Sequence, residues 1–79
     1  MLITDILRNN NNVINYYIDE EDNTDYMVEL LNDRYVKKVI IELKKELTDN
    51  GYKVHTLFEQ IDDQINEGEN IISIDLFIE

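Results

Sequence analysis

Apolar and polar side chains alternate most cleanly at the end of the chain. Ile72, Ile74, Leu76 and Ile78 share one face of an extended segment, and Ile71, Ser73, Asp75 and Phe77 share the other. That two-residue period predicts a strand over residues 71–78. A strand this apolar needs neighbours on both sides or a covering helix, because an open apolar edge invites aggregation. Val13 to Asp19 is rich in β-branched and aromatic residues and places Ile14, Tyr16 and Ile18 on one face, with Val13, Asn15, Tyr17 and Asp19 on the other. The polar stretch from Glu20 to Asp25 reads as a turn. Tyr26, Val28 and Leu30 then alternate with Met27, Glu29 and Leu31, as the second strand of a hairpin does. Met27, Leu30 and Leu31 also fit a helix starting near Thr24; the hairpin is the preferred reading.

The period changes to that of a helix after Asp33. Val36, Val39, Ile40, Leu43 and Leu47 recur at spacings of three and four, so residues 34–49 read as an amphipathic helix. Asp33 is placed to cap its start, and Asn50-Gly51 supplies the left-handed exit. Residues 2–9 read as a short helix carrying Leu2, Ile3, Ile6 and Leu7, separated from the first strand by four consecutive asparagines, Asn9–Asn12. Tyr52-Lys53-Val54 reads as extended. Thr56-Leu57-Phe58-Glu59 matches a capping box opening a helix with Ile61 and Ile65, closed by Gly68; a strand through 52–60 is the alternative. Together these elements predict one α+β domain spanning residues 1–79. It has a small antiparallel sheet of about three strands and two or three helices packed on one face.

Charge changes this picture from a generic domain to one with a preferred kind of partner. Residues 1–33 carry eight acids against Arg8; residues 34–53 carry six bases against three acids; residues 54–79 carry seven acids and no Lys or Arg. The net charge is −11, which disfavours nucleic acid and membrane as ligands and favours a basic protein surface. Arg34, Lys37, Lys38, Lys44 and Lys45 fall within one solvent-facing arc of the predicted long helix, around Ile41. With 43% hydrophobic residues, twelve of all residues being Ile, the chain has a core to bury and is not a disordered acidic tail. It has no Cys, no basic-then-apolar leader, and no apolar run longer than three residues. A soluble cytoplasmic protein is expected. The absence of Ala and Pro beside abundant Ile, Asn, Lys and Tyr points to AT-rich codons, and so to a low-GC bacterium or its phage.

Candidate chemistry is sparse. The run from Asp19 to Asp25 offers oxygen ligands at alternate positions, but a calcium loop counted from Asp19 would need Gly at its sixth position and a carboxylate at its twelfth. Thr24 and Leu30 stand there. Asp62 and Asp63 are adjacent on the predicted helix and point about 100° apart, so they do not converge on a substrate. His55 lacks a Ser or Cys partner motif, and two glycines cannot cradle a phosphate. No enzyme, metal site or cofactor is expected.

The carboxylates are the functional candidates. Phosphates on one DNA strand recur every ~3.4 Å along the axis. Carboxylates two apart on a strand lie about 6.6 Å apart, and four apart on a helix about 6 Å. Both are near two phosphate steps. The expected partner-binding residues are Asp19, Glu21, Asp22, Asp25 and Glu29, joined by Glu59, Asp62, Asp63, Glu67 and Glu69. Tyr17 is added as the exposed aromatic of the first strand. In size, charge and the runs EEDNTD and DDQINEGE, the whole chain resembles small phage-encoded inhibitors, the anti-CRISPR and anti-restriction DNA mimics. That resemblance implies binding without catalysis. The partner would be a basic nucleic-acid-binding protein such as a CRISPR effector or restriction enzyme, in the host cytoplasm, bound by a monomer or weak homodimer. Two alternatives remain open: a self-assembling module pairing acidic segments with the basic helix, and an acidic immunity or antitoxin protein.

Overall fold

A computed structural model describes residues 2–56 and 58–79, with residues 58 and 59 as backbone only. The elements run α1 (Ile3–Asn9), β1 (Val13–Ile18), β2 (Asp25–Leu31), α2 (Val36–Asp49), β3 (Val54–His55), α3 (Phe58–Asn66) and β4 (Ile71–Ile78). The described strands form one antiparallel sheet in the order β1-β2-β4-β3. The α+β class with helices on one face is as the sequence predicts. The sheet has a fourth strand, because two residues of the 52–60 segment pair with the end of β4 before the chain turns into α3. The extended segment ending at Val54 and the helix after it are as preferred; a strand through 52–60 is not, because pairing stops at His55 and helix runs from Phe58. Its capping box lies outside the described residues.

Register decides which side chains are buried. Val28, Leu30, Ile72, Ile74 and Leu76 sit on one face and pack against Ile6 and Leu7 of α1, Ile40, Leu43 and Leu47 of α2, and Ile61 of α3. Burial of these aliphatic side chains is the main stabilising term, about 1.5–3 kcal/mol for each one fully removed from water. Tyr16, Tyr26 and Tyr52 lean on the edge of this core.

Local details correct several sequence expectations. Val13 pairs with Leu30 but Asn15 pairs with Glu29, so a bulge at Ile14 breaks the alternation of β1. The bulge turns Val13 toward the core and leaves Ile14 45% exposed; Ile18, beyond the helical cover, is 43% exposed. Leu2 is also exposed, at the N-cap of α1. The long helix begins at Val36, not at residue 34. Asp33 accepts the Tyr35 N–H at 2.8 Å in a turn one step earlier, and Tyr35 becomes a cap with no side-chain bond. Gly51, at φ +91°, provides the expected exit.

The outer edge of β4 beside α3 is closed by a side chain. Gln64 donates its amide to the Ser73 carbonyl at 2.7 Å and accepts the Ser73 N–H at 2.8 Å, as a neighbouring strand would. Gln64→Ala should cost about 1–2 kcal/mol by removing both bonds, with the loss read as a lower urea midpoint. An unchanged midpoint would show that water replaces the clamp without loss.

Candidate functional site

Among the described residues, no helix covers the second face of the sheet. Tyr17, Met27 and Asp75 form one cross-strand row on it, Asn15, Glu29 and Ser73 another, and Asp25, Phe77 and His55 a third. None of these side chains is fully buried. Tyr17 is 51% exposed, and its hydroxyl donates to Glu29, which holds the phenol above its ordinary range. The three long strands contain no Lys or Arg. The open face thus sets Tyr17, Met27 and Phe77 among carboxylates at the hairpin end, with Leu31 and Ile71 exposed at the far end.

The hairpin tip extends that face. Asp19 Oδ1 accepts the backbone N–H of Glu21 at 2.8 Å and of Asp22 at 3.3 Å, and Asp22 Oδ1 accepts that of Thr24 at 3.0 Å. The Thr24 hydroxyl also donates to Asp22, and the two Thr24 bonds hold the Asp22 carboxyl below its ordinary range. These bonds explain why an acid-rich loop folds tightly: the carboxylates satisfy its own amides. Glu20 and Glu21 are left pointing to solvent. Among the described residues, no group of three or more His, Asp or Glu is placed to hold a metal ion.

Asp25 joins the tip to the face. Its Oδ1 is buried and receives no hydrogen bond from a protein donor. Its carboxyl is pushed up to about 6, first by burial, then by the charge of Asp75 and a hydrogen bond shared with it, and then by Asp19 and Asp22. A carboxyl raised above its ordinary 3.8 on folding gives stability that is fully present below that value and lost as pH rises through about 6. Asp22 has the opposite sign, and its contribution is lost as acid passes below the ordinary carboxylate range. Melting temperature should therefore rise from pH 7.5 to pH 5. Asp25→Asn should flatten that slope and raise the melt at pH 7.5 by about 4–8 °C, the equivalent of on the order of 1 kcal/mol. An unaltered slope in thermal melts of the variant would contradict the pairing with Asp75.

No known protein family, curated protein or solved structure matches the chain.

Asp19, Glu21, Asp22, Asp25, Glu29 and Tyr17 come together at one end and on one face of the sheet. Glu67 and Glu69 do not join them, because they precede β4 and so lie at the opposite end, about 23 Å away along that strand. Asp62 pairs with Lys37 at 2.7 Å and ties α3 to α2. Asp63 is exposed on α3, and the side chain of Glu59 lies outside the described residues. Asp75 belongs to the face but was missed from sequence. The available signal was a lone carboxylate on the minority face of an apolar strand. Glu20 was also missed, although it stands inside the acidic run.

Most of the bases are held elsewhere, on or beside α2. Arg34 stacks 4.7 Å from the Tyr35 ring centroid at the start of α2, and Lys38 reaches Glu42 at 3.9 Å on that helix. Ile41 stands 58% exposed on the same helix. Among the described residues, no helix is long and apolar enough to cross a membrane.

Proposed function

We propose that the chain is a non-catalytic acidic inhibitor. It seats its hairpin tip and open sheet face in the basic nucleic-acid-binding cleft of a nuclease or similar enzyme. Small phage-encoded anti-CRISPR and anti-restriction proteins are the class it resembles. One observation carries this reading: the strands and the hairpin carry acids and no Lys or Arg, whereas the bases lie on the helices and their flanking segments, several of them beside acids of their own. The side bearing Asp19, Glu20, Glu21, Asp22, Asp25, Glu29 and Asp75 has no Lys or Arg in its strands or hairpin. A basic cleft would meet apolar side chains set among carboxylates, which gives fast, salt-sensitive association and fixes orientation. Asp25 and Glu29 lie four residues apart on β2, about 13 Å, close to four phosphate steps along a duplex.

Competition tests the reading. Duplex DNA and the chain should exclude each other from the partner enzyme, so that raising the duplex concentration raises the apparent Kd for the chain in proportion. A stable ternary complex of enzyme, duplex and chain would contradict it.

Self-assembly through the basic helix is a second reading, favoured by exposed Ile41 beside Lys37, Lys38 and Lys45. It requires an association that salt dissolves. An immunity or antitoxin role shares the physics of the first reading and differs in the partner alone.

A further inference from the structure

The two edges of the sheet are treated differently. Beyond β3, the edge of β4 is closed by Gln64. β1 pairs on one side alone, with β2. Register shows which of its backbone groups are unpaired. Asp19 N–H donates to the Asp25 carbonyl at 3.0 Å, so odd-numbered residues of β1 turn their N–H and C=O toward β2. The even-numbered residues Tyr16 and Ile18 turn theirs outward. No backbone group among the described residues bonds to them.

Natural edges are commonly guarded by Lys, Pro or a charge facing inward. β1 is Val-Ile-Asn-Tyr-Tyr-Ile, with no charged residue and no Pro. Two features flank it: the bulge at Ile14, which leaves residues 15–18 in regular pairing geometry, and Arg8 of α1, whose guanidinium donates to the Tyr16 hydroxyl. In a chain of net charge −11, this edge without acids is where two copies meet with least local repulsion.

We propose that β1 is a self-association edge, in which two copies pair their β1 strands antiparallel about a two-fold axis at Tyr17 and form one continuous eight-stranded sheet. Tyr16 of each copy then exchanges hydrogen bonds with Ile18 of the partner subunit, giving about four backbone bonds. The two Tyr17 rings face each other in a non-hydrogen-bonded pair, where side chains approach most closely. Asp19 comes opposite Asn15 of the partner subunit, and Asp22 falls toward the asparagine turn at Asn12. Each acidic tip therefore meets amides rather than the other tip. The long-range repulsion of two acidic chains remains, and salt removes it. This dimer is strengthened by salt, the reverse of a helix-to-acid assembly. It stands independently of the inhibitor reading.

Sedimentation equilibrium of the intact chain tests the edge, at up to about 1 mM protein. Two salt conditions, roughly 20 mM and roughly 500 mM NaCl, shorten the screening length from about 20 Å to about 4 Å. A monomer–dimer equilibrium shifting toward dimer in high salt is expected. Ile18→Pro removes an outward N–H without touching the ladder to β2, and should weaken association by about tenfold or more. Ile18→Thr keeps the N–H and should stay within about threefold of the parent. Ile18→Lys guards the edge by charge and serves if the proline variant does not fold. A strict monomer at the highest concentration in high salt overturns the proposal. So does a dimer that salt dissolves, or one that both Ile18→Pro and Ile18→Lys leave intact.

Discussion

Leu76→Ala should unfold a large part of the population at 37 °C. Leu76 is fully buried in β4, opposite Tyr26 and within the one core that all three helices share. Truncating a buried Leu costs about 2–5 kcal/mol, the transfer term plus a cavity. A chain of this length has roughly 4–12 kcal/mol in total. Self-repulsion of the acidic face places it toward the lower end at low ionic strength. Urea titration followed by circular dichroism should show a lower midpoint with an unchanged slope. Leu31→Ala is the control: Leu31 is 54% exposed on the open face, and its loss should stay within about 0.5 kcal/mol. Equal effects of the two changes would contradict the assignment of one buried and one open face.

The second large effect is on binding. Glu20→Lys with Glu21→Lys should weaken association with the partner enzyme by about 100-fold at low salt, or about 2.7 kcal/mol. Most of that loss is expected in the association rate. The two positions are chosen because their side chains are exposed and carry none of the turn bonds that Asp19 and Asp22 make. Folding stability should therefore be unchanged within about 0.5 kcal/mol. Lys38→Glu with Lys45→Glu, on α2, is the matched reversal on the other side of the fold. It should leave affinity within about threefold of the parent, since distant exposed charges are screened. Surface plasmon resonance over a salt series resolves both. A loss of affinity from the helix variant as large as that from the hairpin variant would point to general electrostatics rather than a site.

Most of the fold was legible because its signals are local. The period-two run of β4 and the three-four spacing of Val36, Ile40, Leu43 and Leu47 each identify an element and its buried face without reference to a neighbour. What failed needed a partner strand. The alternation of β1 looks regular until pairing with β2 places Ile14 in a bulge, and that pairing alone sends Val13 inward. Asp33 carries the right residue type for a cap, yet a turn intervened before the helix began. The acidic site was half legible for the same reason. The hairpin run reads directly from its composition, whereas Asp75 becomes part of the face through the β2–β4 register. Glu67 and Glu69 were grouped with the hairpin acids by charge, and strand direction separates them.

The most direct measurement is affinity capture on the immobilised chain from a nuclease-treated bacterial lysate at low salt, in parallel with its Glu20→Lys/Glu21→Lys variant. Salt elution and mass spectrometry then identify what each retains. The expected result is a basic nucleic-acid enzyme held by the parent, released as salt rises, and missing from the variant. Recovery of the same proteins from both columns, or of bait and neutral proteins alone, would contradict the inhibitor account.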